Sequence, residues 1–161
     1  MDSSDSREPA PYLAGLRLHG RQVVVVGAGR VLSRRLSTLL ASGPFLRVVS
    51  PEATPRVQAA ADAGQLTWVP RPYRAGDLDG AWYAMACTDD PGVNASVVAE
   101  AEARRVWCVR ADDGALGSAV TPATAQHEQH QIAVLAGGDF RASRRLRDRL
   151  AALLPGLAPT D

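Results

Sequence analysis

Residues 23–40 read VVVVGAGRVLSRRLSTLL. Four consecutive valines are too apolar and too β-branched for an exposed segment, and they run straight into Gly27-Ala28-Gly29. Beyond the glycines, Leu32, Leu36, Leu39 and Leu40 recur at helical spacing. The stretch predicts a buried strand, a tight glycine turn and an amphipathic helix. Gly27 permits the sharp turn, Gly29 lets backbone come close to a ligand, and the unpaired N–H groups of the new helix point at an anion. A dinucleotide pyrophosphate is the usual occupant of such a turn. Leu32 stands where G-x-G-x-x-G has its third glycine, so the weight of the motif comes from its place after a strand. An ordinary βα turn is the competing reading.

The 161 residues, 46% hydrophobic and 22% charged, are enough for one well-buried core. A formal charge of +1 argues against a nucleic-acid partner, and no apolar run approaches the roughly 18 residues of a membrane span. All 18 basic residues are arginine. That excludes the phosphate-binding lysine of a P-loop and any Schiff-base lysine. Cys87 and Cys108 lie far apart, each in an apolar strand-like run, and read as reduced, buried thiols of a cytoplasmic protein.

Residues 1–11 are polar and proline-containing and read as a loose tail. Residues 12–18 lead in against the sheet, and residues 21–26 form its first strand. The helix after it stops near Ser42-Gly43-Pro44. Residues 45–49 predict a second strand, and Ser50-Pro51-Glu52 follows at the distance where a dinucleotide fold holds the adenosine ribose. Ser50 occupies the spot itself, with Glu52 two residues on. Glu52 is equally well placed as the N-terminal acid of a helix over 53–63. Arg30, Arg34 and Arg56 nearby leave NADP open as the cofactor.

A third strand is expected over 66–70, an irregular piece through Gly80, and an inner strand over 81–87. Asp90 suits an N-cap and Pro91 the first helical position, with Val93, Val97 and Ala101 marking the buried face. Residues 106–109 form a last strand that delivers Arg110-Ala111-Asp112-Asp113-Gly114. Ligands of open α/β sheets bind outside the carboxyl ends of the strands, so the loops at 27–31, 88–90 and 110–114 are expected to converge there. The βα alternation then ends. Two strand-like runs, 118–125 and 131–135, flank a polar hairpin tip at 126–130. Gly137-Gly138 leads into a helix whose Leu146, Leu150, Leu153 and Leu154 form an apolar stripe suited to a second subunit.

His127 and His130 flank Glu128, but a hairpin tip is a poor metal site, and we read a solvated turn with no metal. Arg141, Arg144, Arg145, Arg147 and Arg149 suit either a polycarboxylate or a solvated helix face, the solvated face being favoured. Asp112 and Asp113 fall where a strand end meets the crevice. A carboxylate there removes a substrate proton as hydride leaves, or simply forms a turn.

The ordered set VVVVGAGRV, ACTDDPGVN, VWCVRADD, TPAT and VLAGG resembles the precorrin-2 dehydrogenase/sirohydrochlorin ferrochelatase family, the dehydrogenase module of siroheme synthases. The resemblance implies an α/β fold: an NAD-binding Rossmann parallel sheet over 12–115, a β-hairpin plus helix dimerisation region over 116–155, and tails at 1–11 and 156–161. It implies NAD-dependent oxidation of precorrin-2 to sirohydrochlorin by a cytoplasmic homodimer. The aspartate of the family's C-x-x-x-D segment falls on Asp112, which becomes the proton-handling residue. Nucleotide contacts fall on Gly27, Gly29, Arg30, Val31, Pro51 and Glu52, joined by Ser50, with Thr88 and Asp89 beside the nicotinamide. Arg110, Arg141 and Arg144 are the candidates for substrate carboxylates. Longer relatives continue past the point matching Asp161, and many carry serine where this chain has Ala136. Both differences weigh dehydrogenation above iron insertion. A bifunctional dehydrogenase and ferrochelatase, and a non-catalytic NAD-sensing module, are the alternatives.

Overall fold

Strand β1 (Gln22–Ala28) is the centre of a five-stranded parallel sheet in the computed structural model, which describes residues 9–156. On one side it pairs with β2 (Phe45–Ala53), which pairs with β3 (Thr67–Val69). On the other it pairs with β4 (Tyr83–Ala86), followed by β5 (Trp107–Arg110), giving the order β3-β2-β1-β4-β5. The four valines explain the central place of β1. Val23 and Val25 pack beneath helices α1 (Arg30–Ala41) and α2 (Pro55–Asp62), in a cluster with Leu32, Leu36 and Val57. Val24 and Val26 face the other way and cluster with Leu78 and with Val97 and Ala101 of helix α3 (Pro91–Arg104). None of the four is more than 1% exposed. An unbroken apolar run fits only a strand covered on both faces. This is the Rossmann-type parallel sheet that the sequence predicts.

No helix forms between β3 and β4. Residues 70–82 run irregularly, and charge holds them in place. Asp77 is 4% exposed and accepts from Arg71 at 2.6 and 2.8 Å, from Arg47 at 3.0 Å and from the Arg74 backbone N–H at 2.8 Å. The Arg71 guanidinium holds its carboxyl below the ordinary 3.8. Glu100 on α3 grips the same segment, accepting from the Tyr73 hydroxyl and the Gly76 N–H. Leu78 is thereby pinned into the core.

Residues 13–120 form one unit; residues 121–156, with residues 9–12, form another. The second unit contains an antiparallel pair, β6 (Ala123–His127) and β7 (His130–Val134), and helix α4 (Phe140–Ala151). Arg147 of α4 donates to the Thr124 carbonyl at 2.8 Å, fastening helix to hairpin. Asp139 caps the helix by accepting from the N–H groups of Arg141 and Ala142. Leu154 is buried, whereas Leu146, Leu150 and Leu153 are exposed.

Three expectations change. Strand β2 runs to Ala53 and Thr54 precedes α2, so Glu52 is a strand residue with no acid in the first turn of α2. Its helix-dipole role therefore falls away. The run expected as a strand over 118–125 begins only at Ala123, because Ser118 accepts from the Cys108 N–H and Ala119 bridges Val109. The hairpin tip narrows to Glu128-Gln129, with His127 and His130 as cross-strand partners. The tails expected at 1–11 and 156–161 fall mostly outside the described residues, which leave out 1–8 and 157–161.

Candidate nucleotide and proton-transfer site

At the carboxyl end of the sheet the chain leaves β1 through Gly27, whose φ is +100°. A Cβ there would lie 2.6 Å from the Cys87 carbonyl oxygen and 2.9 Å from the Thr88 nitrogen. Glycine is required twice over, by its dihedral and by the backbone pressed against it. Gly29 is different. Its φ is −86°, it is exposed, and a Cβ there meets nothing within 4 Å. It caps α1 without a side-chain hydrogen bond, so no capping side chain covers the first N–H groups of this twelve-residue helix. That is a backbone cradle for an anion. Leu32 does not fill it, being buried in the core beneath α1. Arg30 is exposed and Val31 half-buried at the start of the helix.

Beside this cradle β2 bulges. Val26 pairs with Val49, but Ala28 pairs with Ala53, so four steps along β2 match two along β1. Residues 50–52 absorb the excess next to Gly27. Ser50 is buried and its carbonyl is held by the Trp68 indole N–H at 2.9 Å, while Pro51 and Glu52 remain exposed. The Ser33 and Thr54 hydroxyls meet at 2.6 Å and tie α1 to the loop after the bulge.

On the other side of the β1/β4 junction, Asp90 caps α3 by accepting from Gly92 and Val93, with Pro91 at the first helical position as expected. Asp89 is exposed. The Thr88 hydroxyl is turned inward, 2.8 Å from Oδ1 of Asn94. Asn94 also accepts from the Thr88 N–H at 3.1 Å and donates to the Thr88 carbonyl at 2.9 Å. Its Nδ2 donates in addition to Oδ1 of Asp112, at 2.9 Å. Sequence reasoning passed over Asn94, although the signal was there: an amide on the same helix face as Val97 and Ala101.

Asp112 follows β5 and is paired with Arg110, Nε to Oδ1 at 3.0 Å and Nη2 to Oδ2 at 2.9 Å. Arg110 also donates to the Pro91 carbonyl at 3.3 Å, and its side chain is only 10% exposed. The guanidinium expected to meet substrate is thus engaged by Asp112. With Asn94 it holds the Asp112 carboxyl below the ordinary 3.8, against the opposing effect of burial. Asp113 instead accepts from the Ala115 N–H at 3.0 Å, the turn-forming role. Arg141 and Arg144 are exposed on α4 of the second unit. Cys87 and Cys108 are free and buried, in the clusters on opposite faces of the sheet. Burial pushes their thiols up to about 12 and about 11.

A glycine cradle at the point where strand order reverses, followed by a ribose-side bulge, is the dinucleotide-binding arrangement. Residues 14–123 match the family model described as "Putative NAD(P)-binding". The chain belongs to this NAD(P)-binding family. Among curated proteins, similar ones include a siroheme synthase of Chromobacterium violaceum, 37% identical over 141 residues, or 87% of this chain and 30% of that protein. A siroheme synthase of Pseudomonas entomophila is 38% identical over 140 residues, 86% of this chain and 30% of its own length. The chain thus spans about 30% of the length of these relatives. A solved structure titled "SirC, precorrin-2 dehydrogenase" superposes with a TM-score of 0.75 at 23% identity, covering 88% of this chain and 70% of that one. That likeness gives the same fold. Among the described residues no helix is long and apolar enough to cross a membrane.

Proposed function

We propose that this chain is an NAD-dependent precorrin-2 dehydrogenase, converting precorrin-2 to sirohydrochlorin in siroheme synthesis. The observation that carries the reading is that the Gly29 cradle after β1 and the Asp112 carboxylate after β5 lie at the same end of one parallel sheet, on either side of β4. The names of the siroheme synthase relatives and of the SirC structure support the substrate. In this reading Gly27, Gly29, Arg30 and Val31 hold the pyrophosphate, and Ser50, Pro51 and Glu52 the adenosine ribose. Thr88 and Asp89 border the nicotinamide. An exposed carboxylate at Glu52 accepts from a ribose 2′-hydroxyl and repels a 2′-phosphate, which favours NAD over NADP.

The oxidation removes one hydrogen as hydride and one as a proton. Bound NAD supplies the hydride acceptor. Asp112, a carboxylate at neutral pH that Arg110 holds still further below its ordinary 3.8, takes the proton. A carboxylate of depressed pKa is a weak base, but a substrate losing hydride becomes cationic and correspondingly acidic. The same negative charge stabilises that developing cation. Arg110 holds Asp112 in place, leaving Arg141 and Arg144 as candidates for substrate carboxylates. The exposed Leu146 and Leu150 on α4, with Leu153 just beyond its end, are the surface we assign to a second copy of the chain, in a cytoplasmic homodimer. Residues 12–115 are the nucleotide-binding domain in this proposal, and residues 116–155 the dimerisation region.

Anaerobic incubation with precorrin-2 and NAD, following NADH and the sirohydrochlorin spectrum, tests the reading. Turnover by the wild type and none by Asp112→Asn is the expected result. A wild type that binds NAD but leaves precorrin-2 unchanged overturns it in favour of an NAD-sensing module. Iron insertion by the purified protein would extend it to a bifunctional enzyme.

A further inference from the structure

Asn94 is 0% exposed on a helix face otherwise lined by Val97 and Ala101. An amide buried without partners is strongly unfavourable, so its position demands complete pairing. It has that pairing: Oδ1 faces the Thr88 N–H and hydroxyl, and Nδ2 faces the Thr88 carbonyl and Oδ1 of Asp112. A backbone N–H only donates and an ionised carboxylate only accepts, so the amide has one orientation that satisfies all four. Thr88 follows β4 and Asp112 follows β5, so one side chain joins the ends of two strands. On Asp112, Oδ1 is taken by Asn94 and by Nε of Arg110, whereas Oδ2 meets only Nη2 of Arg110 among these two side chains.

Building on the dehydrogenase reading, we propose that Asn94 is a positioning residue that locks the nicotinamide-side loop at Thr88 to Asp112 and leaves Oδ2 as the oxygen that works on the substrate. Cofactor and proton acceptor are then held as one rigid piece, with no adjustment needed between them at the moment of transfer. The charged groups around Asp112 are Arg110 on β5 and the neighbouring Asp113. Cys87, at the end of β4, is neutral, its thiol pushed up to about 12 by burial.

Asn94→Asp tests the proposal, because it keeps the oxygen that accepts from both Thr88 donors but sets a carboxylate oxygen against Asp112. In the full chain without substrate, ¹³C carboxyl NMR should show the Asp112 midpoint rising by about one pH unit or more. The acid limb of the turnover profile should move with it, and kcat should fall roughly 10²-fold while NAD affinity is kept. Asn94→Ser, which removes the donor and loosens Thr88 as well, should raise the midpoint and weaken NAD binding. It serves where Asn94→Asp does not fold. Combining Asn94→Asp with Asp112→Asn restores a donor and acceptor pair, and should recover thermal stability, with NAD binding kept and turnover absent. An Asp112 midpoint unchanged in either folded single variant overturns the proposal. If the midpoint moves but the wild type does not oxidise precorrin-2, the dehydrogenase reading fails and the positioning of Asp112 by Asn94 stands. If the wild type turns over and the midpoint stays put, the proposal fails and the dehydrogenase reading stands.

Discussion

The glycine turn at residues 27–29 and the loop at residues 110–114 both leave strands of one sheet at the same end, yet they are built in opposite ways. The turn works through missing atoms: Gly27 has no room for a Cβ, and Gly29 has room that nothing fills. The loop works through saturation, its carboxylate gripped by Arg110 and Asn94. A site made by absence is broken by adding a methyl group. One made by pairing is broken by removing a partner or a charge.

The largest expected effect lies in the paired loop. Asp112→Asn should lower turnover of precorrin-2 by roughly 10²- to 10⁴-fold, with NAD affinity by calorimetry unchanged. A loss of NAD affinity instead would mean that the loop and the turn are not separable in this way. Next comes Gly27→Ala. Its Cβ meets Cys87 backbone at 2.6 Å and its φ of +100° disfavours any side chain, so urea unfolding should show a loss on the order of 3 kcal/mol. Gly29→Ala sharpens the contrast within the turn. Stability should stay at the wild-type value, while the dissociation constant for NAD rises roughly tenfold, about 1.4 kcal/mol. Wild-type affinity in Gly29→Ala would remove the cradle from the site.

Acid should separate the regions by the smallest margin. The folded pKa of Asp112 lies below its ordinary 3.8, so its pairing stabilises the fold above that value and the contribution is lost as pH falls through the folded pKa. The melting-temperature difference between wild type and Asp112→Asn should therefore shrink as pH falls below about 5 and close only once pH has passed below the folded pKa. The difference between wild type and Gly27→Ala arises from sterics and should persist over the same range. A gap for Asp112→Asn that stays constant with pH would show that Arg110 contributes packing rather than charge.

The same contrast explains what could be read from the chain beforehand. The turn is written in consecutive letters, because strand, glycines and helix are neighbours in sequence, and Asp90-Pro91 announces α3 in the same local way. The Asp112 loop depends on residues 18 apart in sequence, Asn94 and Asp112, brought together only when α3 packs beside β5. A buried asparagine on an apolar helix face is a visible anomaly, but its partners are not visible. The helix-acid reading of Glu52 fails for a related reason. Nothing in Ser50-Pro51-Glu52 reveals that β2 takes four steps where β1 takes two, so the helix was expected to start too early. The position of Arg110 at the end of β5 is legible in the sequence, and its pairing with Asp112 is not.

Gly27 lies against Cys87 and Thr88, sixty residues further along the chain, and this contact sets an order of events. On a chain emerging from the ribosome, β1 can pair with β2 early, but the wall behind the glycine turn does not exist until β4 has docked. Pairings of such long sequence separation are the slow ones to form. The nucleotide site is thus among the last features of the sheet to be completed. A nascent chain that has not yet delivered residues 83–88 would have the motif without the pocket, so cofactor capture would report that the sheet has closed.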